Sequence, residues 1–427
     1  MKKVCVIGGG AAGLMAAYTA AKNGCAVSLF EKNEKLGKKI YITGKGRCNF
    51  TNDVSPMEFL PNIVRGGKFL TSAIYTFSSQ NCIEFFENQG LSVKIERGNR
   101  AFPASDHASD ITKTLEKACR NEGVNLFLQE KILKIKPTMS NIIPMQDIVD
   151  DTTRDIIPMS GIEVVSDKNI YRFDAVIVAT GGLSYPSTGS TGDGYVFARD
   201  CGHTITDLKC GLCGLNLEGE QFLALQGLSL KNVVFCVKNG LKTVYSELGE
   251  LLFTHFGISG PIVLSASSLI NRMDFRSLTA FIDLKPALDE QTLDKRLLRD
   301  FEKYKNKKIS NALCDVLPQK MIVAILKTAN ISPEKNVNVL TKEERGRLVK
   351  SLKEFPVKIR GLRGFEEAII TSGGVSLSEI NPKTMESKNI RGLYFCGEVL
   401  DVDAFTGGFN MQIAFATGYV AGKAVSL

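Results

Sequence analysis

Short apolar runs that end in glycine recur along the chain, and they set the reading of its first fifty residues. Val4–Ile7 is β-branched and apolar, Leu14–Asn23 has helix-forming composition with Gly24 as its stop, and Val27–Phe30 is a second apolar run ending at Glu31. Apolar runs this short, bounded by turn residues, predict buried strands, so the segment reads as a β-α-β unit. Helical patterns follow at 69–89 and at 109–121, the latter stopped by Gly123, and strand patterns at NLFLQ and at Ile132–Ile135. GIEVVSD and Ala175–Ala179 are expected to re-enter a buried parallel sheet. Between these strands, residues 136–160 lose globular texture: prolines, mixed charge and the tetrapeptide IIPM twice read as a long loop excursion.

From about 203 to 284 the pattern shifts to short alternating strands with a turn at Asn239-Gly240, which predicts an antiparallel sheet. From about 288 to 354 it becomes helical, and Thr341 with Glu344 forms a capping-box pattern. After 365 the α/β texture returns, with a strand at Gly392–Cys396 and a helical C-terminus. The expected organisation is α/β: residues 1–200 and 356–427 form one domain, interrupted by an antiparallel β insert at 201–287 and a basic helical insert at 288–355.

Composition narrows the class. The chain has 427 residues, 44% of them hydrophobic, and its sequence contains no apolar stretch long enough to span a bilayer. The mean hydropathy is +0.01, ordinary for a soluble globular protein. Met1-Lys2-Lys3 and the apolar run after it imitate a signal peptide, but Gly8, Gly9, Gly10 and Gly13 would break its helix; the segment is read as retained and the protein as cytoplasmic. Eleven cysteines at irregular spacing suit buried thiols. One CxxC, Cys210 to Cys213, and three histidines make no recognisable zinc site, so no metal is expected.

The formal charge is +8, and it is local: residues 291–363 hold 18 Lys+Arg against 8 Asp+Glu, while the remainder holds 35 against 37. The expectation is a solvated helix face with neither a nucleic-acid nor a membrane partner. Any functional use would be to steer an anionic small-molecule substrate or a nicotinamide phosphate.

Gly8-x-Gly10-x-x-Gly13 follows a strand, opens a helix and is succeeded 23 residues after Gly8 by Glu31 at the end of the next strand. In that context the first glycine permits the turn, the second admits a pyrophosphate, the third lets helix pack on sheet, and the acid accepts from a ribose diol. A dinucleotide is implied. Val178-Ala-Thr-Gly-Gly182 and Tyr394-Phe-Cys-Gly-Glu398 also end strands in glycine, and Gly407-Gly408 opens the last helix. A second helix N-terminus suits the electron-rich edge of a reduced flavin, so FAD is the expected cofactor. No second fingerprint follows a strand, since Gly189-Ser-Thr-Gly-Asp-Gly194 has the wrong spacing. NAD(P)H, as electron donor, would visit transiently.

Several longer stretches resemble the YhiN/BaiN-like bacterial flavoproteins over nearly the whole chain: Lys35 to Asn52, Gly181 to Tyr195, Thr254 to Pro261, Thr371 to Val375 and the Gly397-Glu398 turn. The resemblance implies a Rossmann-like FAD-binding domain carrying an inserted β-barrel and helical domain. It assigns FAD contacts to Gly8, Gly10, Ala12, Gly13, Glu31, Lys32, Arg47, Cys48, Asn49, Ile132, Thr180, Gly181, Gly397, Glu398, Gly408, Asn410, Met411 and Gln412. Tyr185 and His255 are the candidate proton donors. The implied activity is NAD(P)H-linked reduction of a conjugated C=C in an unsaturated ketone, such as a 3-dehydro bile acid. The alternatives are an amine oxidase of the aminoacetone type, which yields hydrogen peroxide, and a flavin-containing nucleic-acid-binding protein.

Overall fold

In the computed structural model, which describes residues 1–143 and 161–427, the apolar runs become a parallel sheet. Its elements are β1 (Lys3–Ile7), α1 (Ala11–Lys22), β2 (Ala26–Glu31), β3 (Asn125–Leu128), β4 (Ala175–Val178), β5 (Leu393–Phe395) and the C-terminal α2 (Phe409–Val425). The strand order is β5-β4-β1-β2-β3, with every neighbour parallel. All four residues of β4 are buried, which is why its sequence shows no polar alternation.

Helices α1 and α2 pack closely because both are built from small residues. A Cβ at Gly422 would lie 2.5 Å from the Ala16 carbonyl oxygen, and one at Gly418 would fall inside contact distance of the Ala12 oxygen. Neither glycine has positive φ, so packing alone demands them. Gly418→Val should therefore destabilise the protein by at least ~2 kcal/mol through overpacking, read as a lowered thermal midpoint.

Two expected elements are rearranged. GIEVVSD does not join the parallel sheet; Ile162–Ser166 pairs antiparallel with Ile132–Lys136 and Ile170–Phe173, and its burial alternates as a two-faced strand requires. The helical pattern at 69–89 is two helices, Gly67–Thr76 and Ser79–Asn88, because Ser78 caps the second with a reciprocal Ser78–Asn81 box. Most of the 136–160 excursion, with its second IIPM, lies outside the described residues.

The chain divides into two compact units, Met1–Lys209 with Ile369–Leu427, and Cys210–Ala368. The second unit centres on a seven-stranded sheet with antiparallel neighbours, ordered Phe355–Val357, Leu278–Asp283, Ser229–Asn239, Lys242–Phe253, Gly257–Ser259, Leu215–Leu217, Ile359–Leu362. Gly240 takes φ +58° in the anticipated hairpin turn, and the Thr341–Glu344 capping box is formed. Phe235 and Ile282 of the sheet share one core with Leu297, Ile325 and Leu352 of the helices, so the two expected inserts form one unit. The C-terminal boundary also moves from 356 to 369. Phe355–Val357 and Ile359–Leu362 lie at the two edges of the second unit's sheet, a long-range pairing that their local pattern does not announce.

Among the described residues the cysteines form no disulfide, and burial pushes the Cys213 thiol up to about 12, which argues against the CxxC as a reactive pair. Among the described residues no His/Cys/Asp/Glu group could hold a metal, and no helix is long and apolar enough to cross a membrane.

His203 is a structural histidine. Its Nδ1 lies 3.1 Å from Glu379, its Nε2 2.9 Å from the Ser387 hydroxyl, and its ring packs edge-on against Phe395. Burial holds its pKa below the ordinary 6.5, outweighing the opposing effect of Glu379. As pH falls through 6.5 the unfolded chain takes up a proton that the folded chain refuses, so stability falls. Hydrogen bonds from Thr204 and His203 outweigh desolvation at Glu379 and lower its pKa as well, so its contribution is also lost towards acid. The thermal midpoint should drop between pH 7 and 5.5, and His203→Gln should flatten that slope.

Candidate functional site

Parallel strands bring their C-terminal ends to one edge, so Gly8 after β1, Glu31 ending β2, Thr180 after β4 and Gly397 after β5 are gathered there. The three fingerprint glycines play different parts. Gly8 has φ +106°, and a Cβ there would lie 2.6 Å from the Ala179 oxygen; a Cβ at Gly13 would overlap the Gly8 oxygen. Gly10 has extended backbone at the N-cap of α1, and no atom lies within 4 Å of where its Cβ would stand. Nothing inside the protein explains that glycine, whereas a phosphate approaching the helix N-terminus does.

Glu31 is buried. One carboxylate oxygen accepts from the Gly9 N–H at 2.9 Å and the other from the Asn33 backbone and side-chain N–H groups, at 2.8 and 2.6 Å. No Lys or Arg pairs with it among the described residues, so its remaining lone pairs are suited to ribose hydroxyls. Lys32 is committed elsewhere, to Asp193 at 2.6 Å and Thr191 at 2.5 Å. With the Asn33 bond to the Thr188 oxygen, this ties the 188–193 loop to the end of β2. Ile132 is buried at the start of its strand.

Two buried polar atoms lack partners where the cofactor is expected, Thr180 Oγ1 and Asn49 Oδ1. Asn49 Oδ1 stands 2.9 Å from the position of a Cβ on Gly408, which has φ +94° and opens α2. Leaving such atoms unpaired costs about 1–3 kcal/mol each, which ligand hydrogen bonds would offset. The first-turn N–H groups of α2, at Asn410 and Met411, sit at a helix N-terminus, where a partial positive charge favours an electron-rich ligand edge. An open cradle at Gly10, a cation-free acid and orphaned polar atoms together fit FAD.

Other side chains singled out from the sequence have protein partners. Gln412 is fully buried between the Thr51 hydroxyl and the Phe77 oxygen. Asn410 closes on the Ala404 backbone in both directions. Arg47 pairs with Glu96 and Asp106, its guanidinium over the Phe102 ring. The Cys48 thiol is buried and pushed up to about 12 by desolvation, on a left-handed backbone of φ +57°. Ala12 is a packing position beneath Gly397 and Gly418. The polar groups of Gln412, Asn410 and Arg47 are thus already engaged within the protein.

The structure adds Lys39 and Thr371, which had no assigned role, as partners of Glu398. Glu398 accepts from Lys39 at 2.7 Å and from the Thr371 N–H at 2.9 Å, while the Thr371 hydroxyl accepts from the N–H groups of Leu183 and Ser184. Motifs distant in sequence thereby hold the loop that carries Tyr185. Tyr185 takes φ +53°, uncommon for a side chain of this size, and its carbonyl accepts from Thr188. Thr371 belonged to a recognisable motif; Lys39 had no signal beyond its own stretch. His255 lies in the second unit, exposed in the Thr254–Gly257 turn, its ring edge-on to Phe256, which in turn lies under Arg363.

The profile of the HI0933-like protein Rossmann domain matches residues 2–424. A 3-dehydro-bile acid delta(4,6)-reductase of Clostridium scindens is 29% identical over 430 residues, covering 100% of this chain and 99% of the relative. A ribosomal RNA dihydrouridine synthase of Escherichia coli is 30% identical, covering 98% of this chain and 96% of the relative; that of Haemophilus influenzae is 29% identical, covering 99% and 98%. Among solved structures, a 3-ketosteroid-delta4-(5alpha)-dehydrogenase of Rhodococcus jostii superposes with TM-score 0.53 at 15% identity, over 100% of this chain and 97% of its own, a likeness of fold.

Proposed function

Because the chain belongs to the HI0933-like Rossmann-domain family, we propose that it is an FAD-dependent reductase of a carbon–carbon double bond conjugated to a carbonyl, with NAD(P)H as electron donor. The carrying observation is Gly10, whose open Cβ space at a helix N-terminus serves a dinucleotide phosphate and nothing within the protein. FAD, when bound, supplies hydride acceptance and donation. The chain's own residues would hold it: Glu31 would accept from the ribose, Thr180 and Asn49 would offer it their unpartnered oxygens, and the N-terminus of α2 would favour an electron-rich group. Tyr185, braced through Ser184 and Thr371, is the proton donor assigned to the first unit, and His255 the candidate on the second.

The names of the full-length relatives support this reaction class. A delta(4,6)-reductase of a 3-dehydro bile acid and a synthase of dihydrouridine both saturate a double bond conjugated to a carbonyl. Their substrates differ, and this reading departs from the expectation of a solvated face without a nucleic-acid partner: beside an RNA-directed relative, 18 Lys+Arg against 8 Asp+Glu in residues 291–363 suit a polyanion better than a steroid with one carboxylate. Uracil within RNA is therefore the preferred substrate class.

The test is anaerobic. FAD-loaded protein is reduced with NADH or NADPH, then mixed with uridine-containing ribosomal RNA, a steroid 3-oxo-4,6-diene or aminoacetone while flavin absorbance is followed. Reoxidation by RNA, with dihydrouridine in the product, is expected. Reoxidation by the steroid alone would move the substrate to the second reading. Failure of both nicotinamides to bleach the flavin, with bleaching by aminoacetone and peroxide on admission of air, would make the protein an amine oxidase instead.

A further inference from the structure

Gly346 is a glycine that the fold does not explain. It lies in the middle of the helix Lys342–Lys353, it is exposed, and no atom stands within 4 Å of the position its Cβ would take. Its φ is not positive, and it packs against nothing, unlike Gly418 and Gly422. A glycine inside a helix is destabilising relative to alanine, so a bare position here needs a reason outside the helix.

Its surroundings are cationic. Lys342, Gly346 and Lys350 recur every fourth residue and share one exposed stripe. Arg347 adjoins it and donates to the Ala329 oxygen at the end of the helix Gln319–Thr328, whose exposed face carries Lys320 and Lys327. Among the described residues no carboxylate lies within ion-pair distance of Lys320, Lys327, Lys342 or Lys350, whereas Lys335 and Arg345 pair with Glu344 and Asp294. The denser lysine run at 303–308 is largely neutralised: Lys303 pairs with Asp315, Lys305 with Glu302 and Lys308 with Glu334, and Lys307 lies over the Tyr304 ring. Lys320, Lys327, Lys342 and Lys350, without an ion pair, thus lie outside the run that dominates the sequence, with Glu343 the acidic neighbour of Lys342 and Arg347 on the same helix.

We propose that this face, centred on Lys342, Gly346 and Lys350 with Lys327 and Arg347 beside them, holds the phosphate backbone of an RNA substrate; the assignment rests on the uracil reading above. The eight helical steps from Lys342 to Lys350 span about 12 Å. That is roughly three nucleotides along a duplex strand at ~3.4 Å each. The absent Cβ lets a phosphate approach the helix backbone between the two ammonium groups. The helix exposes no large apolar side chain and contains no aromatic residue, so it suits sequence-independent grip on the backbone rather than base stacking or insertion into a membrane.

The experiment uses the FAD-loaded full chain and a fluorescently labelled uridine-containing RNA stem–loop, with anisotropy measured across a KCl series. Lys342→Glu with Lys350→Glu should weaken binding at least tenfold and flatten the slope of log K against log salt by about 1.5. Gly346→Ala should raise the thermal midpoint, because alanine is the better helix former, and yet weaken RNA binding several-fold. Wild-type binding that both variants retain overturns the assignment of this face and leaves the uracil reading standing. A wild-type chain that does not bind the RNA overturns both.

Discussion

Gly10→Thr should abolish FAD binding while leaving the fold untouched. Threonine caps helices about as well as glycine, and Gly10 already has extended backbone, so α1 keeps its N-cap. Beyond its chain neighbours no protein atom lies within 4 Å of the new Cβ, so the apoprotein has room at the branch point of the added side chain. Only a phosphate seated against the helix N-terminus would meet the added side chain. The expected loss is at least about 100-fold in FAD affinity, or ~3 kcal/mol, with the apoprotein's thermal midpoint within about 2 °C of wild type. Flavin fluorescence titration and thermal denaturation without added FAD check the two halves separately. Unchanged FAD affinity would sink the dinucleotide assignment at this turn.

Gly13→Ala should do the opposite. The new methyl would overlap the Gly8 carbonyl oxygen and approach the Ala179 side chain at 3.3 Å, and all of these atoms belong to the packed junction of β1, α1 and the loop after β4. Backbone cannot swing aside as a flexible side chain can, so helix and strand must separate. The cost is about 3 kcal/mol or more, a fall of roughly 6–12 °C in thermal midpoint that is present in the apoprotein. Added FAD should recover part of it by mass action. One motif thus contains a glycine that matters to the ligand and a glycine that matters to the fold.

The β-α-β unit, the antiparallel hairpin at Asn239-Gly240 and the helix capped by Thr341 were legible because each is specified by neighbours in sequence. The fingerprint glycines and Glu31 were legible for the same reason: their spacing is itself the geometry. Resemblance reached further, to Arg47, Asn410 and Gln412, but it names positions and cannot say which atoms of a residue serve. Arg47 is spent on Glu96 and Asp106, Asn410 on Ala404, and Gln412 on Thr51 and Phe77. Those partners are separated by up to 361 residues in the case of Gln412, and no local pattern encodes them.

By itself the sequence determined the first β-α-β unit, the dinucleotide turn and the net charge, because periodicity, turn chemistry and composition are local or additive. Tertiary structure decided where the second unit ends, since the strands at 355–362 are defined by partners at 215–217 and 278–283. It decided that Thr371, Lys39 and Glu398 brace the Tyr185 loop, and that Gly418 and Gly422 let the first and last helices touch. It also decided which cations are left without an ion pair, because such a pair forms through space, between side chains whose separation along the chain says nothing of their distance.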